Sequence, residues 1–195
     1  MSSGSRILPE QRQARRVVLK TPRLLLRLWQ PDDVAPYVAL NADPTVTQFL
    51  RGPVSAAQAE EFFAAQNAMV EKHGCAFLAA ELRATGELAG FVGLKYQDFD
   101  APFAPCHEIG WRLAAHCWGM GLATEGARAA LAYGFDTLGL DEIVSFTVPA
   151  NTRSRRVMEK LGMVRDPDGD FAHPALRADH ALSRHVLYRL RRPAG

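Results

Sequence analysis

The chain has few cysteines, no long apolar run and no strong charge of either sign, and each shortage removes a class of protein. Its three cysteines, Cys75, Cys106 and Cys117, are an odd number, and none stands in a Cys-x-x-Cys pair or beside a His-rich ligand spacing. Neither a disulfide framework nor a metal centre is expected, and free thiols in a reducing cytoplasm are the default. No apolar stretch approaches the roughly 20 residues that cross a bilayer, and the N-terminus lacks the apolar middle of a signal peptide. No membrane association and no export are therefore expected. Formal net charge is only +2, yet residues 1 to 20 hold five basic residues (Arg6, Arg12, Arg15, Arg16, Lys20) against Glu10, which leaves −2 for the rest. This arm lacks the interleaved aromatics of a nucleic-acid-binding segment and reads as a solvated leader, 1–18, before a single domain over 19–192. Neither a repeat nor a long linker divides the remainder.

What is present is a globular composition, 48% apolar over 195 residues, enough for one sizeable core. Leu24 to Trp29, bounded by Pro22 and Pro31, predicts a strand, and Asp32-Asp33 open a helix to about Leu40. Ser55-Ala56-Ala57-Gln58 is a capping-box pattern before a helix whose Phe62, Phe63, Met69 and Val70 recur at helical spacing. Cys75 to Leu82 and Leu88 to Tyr96 predict an antiparallel hairpin, followed by a Pro- and Phe-containing loop, Gln97 to Pro105, and a strand near His107 to Leu113. Ala123, Ala127, Leu131, Phe135 and Leu138 then mark one helix face, ended by Gly139. Asp141 to Val148 predicts a strand, Asn151 to Gly162 a helix, and His185 to Leu190 a last strand after a polar loop containing Pro167, Gly169 and Pro174. The order is that of an α+β protein with a mixed, mostly antiparallel central sheet of six to seven strands flanked by helices.

The chemistry-bearing feature is Trp118-Gly119-Met120-Gly121-Leu122-Ala123-Thr124-Glu125-Gly126. Two glycines let the backbone bring N–H groups close to a bound group, and the helix behind them adds unpaired donors and the positive end of its dipole. A pyrophosphate suits such a cradle, although an isolated Gly-x-Gly is equally an ordinary turn. No Gly-Lys-Ser or Gly-Lys-Thr follows, so a P-loop is excluded. The spacing of Gly119, Gly121 and Gly126, in the middle of a meander, does not fit a dinucleotide fingerprint.

Glu108-Ile109-Gly110-Trp111-Arg112-Leu113, the glycine run, and Asn151-Thr152-Arg153-Ser154 with Val157 to Met163 together resemble the GNAT N-acetyltransferase superfamily. With Thr21-Pro22-Arg23-Leu24-Leu25-Leu26-Arg27, the resemblance is to its RimJ/RimL branch of ribosomal-protein N-terminal acetyltransferases and covers about residues 19 to 190. It implies a GNAT-like sheet, acetyl-CoA as co-substrate, and transfer of acetyl to a primary amine, a protein N-terminus or a small molecule, by direct attack on the thioester. Carried over, the backbone of Trp118, Gly119, Met120, Gly121, Leu122, Ala123 and Thr124 binds the pyrophosphate. The strand edge Trp111, Arg112 and Leu113 pairs with the pantetheine arm, and Asn151 and Ser154 approach the pantetheine and thioester. His116 stands where the family usually has Gln or Arg, a departure that touches only a side-chain contact.

Such a transfer needs a base, an oxyanion donor and an acid. Glu108, on the strand that carries the cofactor, is the candidate base, directly or through water, with a surface strand carboxylate as the alternative. Backbone N–H groups near Arg112 or Leu113 supply the oxyanion donors. The position where many relatives carry a tyrosine acid is Met158, so Ser154 is the candidate acid or relay, with helix capping or core packing as its alternative. His107 neighbours Glu108 but points to the opposite face. His173, His180 and His185 read as surface or acceptor-pocket residues, and Tyr188 as a core residue. A catalytic Cys117 would need a lowered pKa. A non-catalytic acyl-CoA sensor or interaction module is the alternative function. The acceptor amine is not readable, and sheet-edge pairing would allow a homodimer.

Overall fold

In the computed structural model, which describes residues 16–177 and 179–193, the apolar runs become one eight-stranded sheet flanked by helices. The strands are β1 (Val17–Lys20), β2 (Leu24–Arg27), β3 (Phe77–Leu82), β4 (Leu88–Gln97), β5 (Cys106–Leu113), β6 (Glu142–Thr147), β7 (Val164–Ala172) and β8 (Arg184–Arg191). Their order is β1-β2-β3-β4-β5-β6-β8-β7, and every neighbouring pair is antiparallel except β5 with β6. The helices are α1 (Val34–Ala42), α2 (Pro44–Thr47), α3 (Ala56–His73), α4 (Leu122–Ala132) and α5 (Thr152–Lys160).

The sheet exceeds the expected six to seven strands at its two edges. β1 begins at Val17, inside the stretch expected to be a leader, because Val18 and Leu19 pack against the core while the strand pairs with β2. Arg6, Glu10, Arg12 and Arg15 lie outside the described residues. β7 takes up the segment read as a polar loop. It pairs with β8 on both sides of an irregularity between Asp166 and Phe171, and arginines neutralise two of its three acids, Arg189 Nε at 2.6 Å from Asp166 and Arg165 Nη2 at 2.6 Å from Asp170. Breakers and charges are tolerated there because an edge strand satisfies only one ladder.

Both faces of the sheet are packed. On one, Leu24, Leu26, Val92, Leu94, Ile109 and Ile143 meet Leu122, Ala127 and Leu131 of α4 and Met158 of α5. Each fully buried Leu or Ile there contributes about 1.5–3 kcal/mol relative to exposure. On the other, Trp29 stacks on Phe63 of α3 at 4.2 Å and meets Tyr37 of α1 edge-on at 5.2 Å, above Ala79 and Phe91. The aromatic stripe of α3 is thus core. Ser55 and Gln58 form the expected reciprocal cap, with backbone-to-side-chain bonds of 3.2 and 2.9 Å. The single helix expected to run to Leu138 instead changes pitch, since α4 ends at Ala132 and a π turn, Tyr133–Thr137, follows. Gly134 in that turn lies so close to Leu94 and Ile143 that a Cβ would sit 2.7 and 2.8 Å from their side chains.

Candidate active site

The glycine run is a turn pinned at its start and open at its middle. Trp118 Nε1 donates to the Leu113 carbonyl at 2.8 Å, which ties the loop to the end of β5, and the Arg153 guanidinium lies over the Trp118 ring at 4.7 Å. Gly119 and Gly121 have φ of +75° and +78°, the left-handed region that glycine adopts without steric cost. Between them Met120 is half exposed. Gly121 is the N-cap of α4, whose first intrahelical bond runs from Glu125 N to the Gly121 carbonyl. The N–H groups of Leu122, Ala123 and Thr124 therefore lack helical acceptors and present donors at the dipole's positive end. A Cβ built on Gly119 meets nothing within 4 Å. Donors, dipole and open space fit a pyrophosphate. His116 is exposed in the short 3-10 turn just before.

The loop is held from behind by residues that sequence reasoning did not single out. Glu125 Oε1 accepts from the Thr21 hydroxyl at 2.6 Å and from Arg23 N at 2.8 Å, and its Oε2 accepts from Arg23 Nε at 2.6 Å. Arg23 Nη1 donates to the Met120 carbonyl at 2.8 Å, so that carbonyl turns back into the protein. Burial pushes the Glu125 carboxyl up, but the Thr21 hydroxyl and the Arg23 backbone and guanidinium outweigh it and hold the group below the usual carboxylate range. The only sequence signal was the similarity of Thr21-Pro22-Arg23 to the family's opening.

The candidate base, Glu108, sits where two strands part. β5 and β6 are in register at Glu108 with Val144, and the Ser145 hydroxyl bridges to the Ile109 carbonyl at 2.8 Å. Past that point β5 stays paired only with β4, leaving the β6 side of Trp111 to Leu113 without a ladder partner among the described residues. A peptide-like arm fits that edge. Glu108 is half-buried, and its Oε2 accepts from Gln97 Nε2 at 2.5 Å. Burial raises its carboxyl to about 7, against the opposing pull of Gln97 and Lys95. On the same face, the Phe77 ring lies over Gly110, where a Cβ would come within 2.8 Å of it. The Arg112 side chain is committed to structure: Nη1 donates to Asn41 Oδ1 at 2.6 Å and the guanidinium lies 5.3 Å from the Phe91 ring centre. Its backbone is turned to β4 as well, because Arg112 stands opposite Phe91 two residues from the bond of Ala114 N to the Ala89 carbonyl, so the open edge is that of Trp111 and Leu113.

Around this point the remaining candidates separate. Asn151 caps α5, its Oδ1 accepting from Ser154 N at 3.2 Å and its Nδ2 donating to Thr147 Oγ1 at 3.1 Å. The Ser154 hydroxyl makes no hydrogen bond among the described residues and is half-buried. Met158 is fully buried in the core. Tyr188 is also buried, its hydroxyl between Arg155 Nε at 3.1 Å and Glu159 Oε1 at 3.3 Å. His107 packs edge-on to Tyr96 on the face opposite Glu108. Burial pushes the Cys75 thiol up to about 11 and the Cys106 thiol up to about 12, and raises Cys117 as well, so none is a ready thiolate.

Phe146, two residues beyond the partner of Glu108, joins Phe99, Phe103 and Phe171 in an aromatic group that includes His173 and His185, their rings 5.1 Å apart. Burial lowers both histidines, and for His173 the neighbouring His185, Arg51 and Lys95 add to it. His180 is exposed in a turn. A concavity of about 580 Å³ lies not at Glu108 but at the far end of the glycine run, between Arg23, Thr124 and Lys160. For the chemistry the strand opening is the better guide, because it brings together the carboxyl and the free backbone edge.

Residues 23–164 match the acetyltransferase (GNAT) domain family. The Bacillus subtilis (strain 168) protein YkkB is 33% identical over 146 residues, 74% of this chain and 84% of its own. The crystal structure of an acetyltransferase from Agrobacterium tumefaciens superposes with a TM-score of 0.72 at 30% identity, covering 89% of this chain and 94% of that one. Mycobacterium smegmatis RimJ in complex with CoA-disulfide shares the fold, with a TM-score of 0.68 at 21% identity over 86% of this chain and 81% of that one. Among the described residues no helix is long and apolar enough to cross a membrane.

Proposed function

Given that the chain belongs to the GNAT acetyltransferase family and is an acetyltransferase that uses acetyl-CoA, we propose that it moves the acetyl group to a primary amine with Glu108 as the base. The observation that carries this reading is a carboxyl raised to about 7 at the point where β5 and β6 diverge. A base with that value is ionised in part at neutral pH and still holds a proton well once it takes one.

Acetyl-CoA supplies an activated acyl group as a thioester. The backbone of Trp118 to Thr124 binds its pyrophosphate, and the free edge Trp111 to Leu113 pairs with its pantetheine arm. Glu108 removes a proton from the incoming ammonium, directly or through a water, so that the neutral amine attacks. Backbone N–H groups freed near Arg112 and Leu113 face the carbonyl oxygen as charge builds on it. The Ser154 hydroxyl returns a proton to the departing thiolate, itself or through water. The acceptor side is aromatic and neutral, with Phe99, Phe146, His173 and His185 closing it. The fold shared with RimJ supports a protein N-terminal amine as one acceptor class to include.

Thiol release during incubation with acetyl-CoA and a panel of N-terminal peptides and small amines tests the reading. Release with at least one amine, lost in Glu108→Gln, is expected. A second reading, an acyl-CoA sensor without turnover, is favoured by one observation, the buried Met158 where a hydroxyl acid would stand. Binding of CoA with no release from any amine selects it.

A further inference from the structure

A group of aromatic rings stands on the face of the sheet that carries Glu108. Glu108, Val144 and Arg189 form one row across β5, β6 and β8, and facing residues of paired strands project to the same side. The β4–β5 loop folds over this row, with the Arg189 guanidinium 5.9 Å from the Phe103 ring centre. Phe146, two residues beyond Val144, shares that face, its Cα about 8 Å from that of Glu108 and farther as the strands part. Around it lie Phe171 at 5.3 Å and Phe99, His173 and His185 each at 5.9 Å between ring centres. Phe171 is buried, whereas Phe99, Phe103, Phe146 and both histidines keep part of their rings in reach of solvent. The rings of the α1–α3 layer, Trp29, Tyr37 and Phe63, are all buried. An open aromatic patch on the face of a candidate base has the make-up of a binding surface rather than of a core.

Charge narrows what such a surface takes. His173 Nδ1 accepts from Ala175 N at 3.2 Å, which requires that nitrogen to be unprotonated, and its ring lies 5.1 Å from that of His185. Burial holds both imidazoles below their ordinary range. The fixed charges that bear on His173 are the cations Arg51 and Lys95, and Arg51 is tied there by a 2.6 Å bond from Nη2 to the Ala175 carbonyl. Lys95 bears on Glu108 as well, so the base and the rings lie in one field. Asp98 and Asp100, which flank Phe99, are exposed, where solvent and salt screen them. A second cation on an acceptor would therefore meet like charges beside the rings.

We propose that these rings select the acceptor, and that it is an amine joined by a short arm to an uncharged aromatic group, polyamines and other polycations being refused. The ring of such an amine packs offset or edge-on against Phe146 and Phe99 while its nitrogen reaches Glu108. This rests on the reading of Glu108 as the base of an acetyl transfer. A free arylalkylamine and a peptide that begins with phenylalanine present the same chemistry, so the two sources must be separated.

Initial rates of thiol release by the full chain at saturating acetyl-CoA do so, with phenethylamine, isoamylamine, spermidine, and short peptides beginning with phenylalanine or alanine. In at least one pair, phenethylamine over isoamylamine or the phenylalanine over the alanine peptide, kcat/KM is expected to be about tenfold higher, the advantage of ring-on-ring contact. The pair that shows it identifies the source. Phe146→Leu and Phe99→Leu should each raise the KM for the preferred amine and shrink the preference several-fold, while acetyl-CoA still raises the melting temperature of either variant. Equal rates within both pairs, or spermidine as the best acceptor, overturn the aromatic site while the transferase reading stands. So does a preference that survives undiminished in both variants. If no amine releases thiol from a protein that binds acetyl-CoA, the transferase reading fails and this proposal with it.

Discussion

Arg23 and Glu125, 102 residues apart in the chain, meet with Nε 2.6 Å from Oε2, and the same guanidinium donates to the carbonyl of Met120 between the two loop glycines. The pair thereby sets which way the loop's peptide groups face. The Arg23 side chain is 49% exposed, so the ion pair by itself adds little to stability. Its effect is on the geometry of the donors.

Glu125→Ala is therefore expected to raise the KM for acetyl-CoA roughly tenfold with kcat nearly unchanged, the cost of losing about one charge-assisted contact's worth of loop order. The latch also has a pH window. Its carboxyl is held below the ordinary 4.5, so its stabilisation is fully present above that value and is lost as pH falls through the lowered one. Steady-state kinetics in acetyl-CoA, with Arg23→Lys as the partial replacement, checks the prediction. An unchanged KM in Glu125→Ala contradicts it.

The proposed role of Glu108 carries a pH dependence. If it is the base, kcat/KM at saturating amine rises through about 7, and Glu108→Gln lowers kcat by about 100-fold or more. Gln97 stabilises the ionised form, so Gln97→Leu moves the rise to higher pH. Stability moves the opposite way. The folded protein binds this proton more tightly than the unfolded chain, so the stability contribution falls as pH increases from the ordinary 4.5 to about 7 and is flat beyond. Glu108→Gln should remove that slope and melt higher than the unaltered protein at pH 8. A melting curve with the same pH slope in both proteins overturns the burial argument, and an unshifted rate profile overturns the role.

What could be read from sequence was local. Glu108 to Leu113 and Trp118 to Gly126 are legible because strand alternation, two glycines and a helical stripe all lie within a few residues of one another. The Ser55 cap and the Asn151 start of α5 are legible for the same reason. The latch was not, since Thr21 and Arg23 gain meaning only from a carboxylate a hundred positions away. β7 was misread because Asp166-Pro167-Asp168-Gly169-Asp170 has loop composition, and its strand character comes from pairing with β8 and from Arg165 and Arg189, which neutralise Asp170 and Asp166. The aromatic closure by Phe99, Phe146 and Phe171 needed three separate segments to meet.

A buried charge triad ties β2 and β3 to the start of α1. Arg27, 2% exposed, donates Nη1 and Nη2 to Asp33 at 2.7 and 2.8 Å and Nε to Glu81 at 2.7 Å, joining β2, β3 and the turn that starts α1. Burial pulls the guanidinium down, and the bonds to Asp33 and Glu81 more than restore it. Arg27→Leu would remove the cation that faces two buried carboxylates, and a loss of about 3–5 kcal/mol is expected in urea unfolding at pH 7. The loss should shrink when Asp33→Asn and Glu81→Gln accompany it. A single substitution costing less than about 1 kcal/mol would show the triad to be dispensable.

The thiols decide between direct transfer and a covalent acyl-enzyme. A cysteine nucleophile must reach its thiolate near neutral pH. Cys117 lies beside the glycine run but is buried, and burial, with Glu87 adding repulsion, raises its pKa. Cys106 is nearest to Glu108 in the chain, yet burial first and the negative charge of Glu108 next push it up to about 12. At pH 7 each is overwhelmingly protonated. Cys117→Ala and Cys106→Ala should therefore keep kcat within about twofold, with Cys117→Ala costing on the order of 1 kcal/mol of stability from lost packing. Initial rates varied in both substrates should give intersecting rather than parallel double-reciprocal lines, since the amine must be present before the acetyl group leaves its donor. Parallel lines together with loss of turnover in one cysteine variant would replace Glu108-assisted direct attack with a two-step route through that thiol.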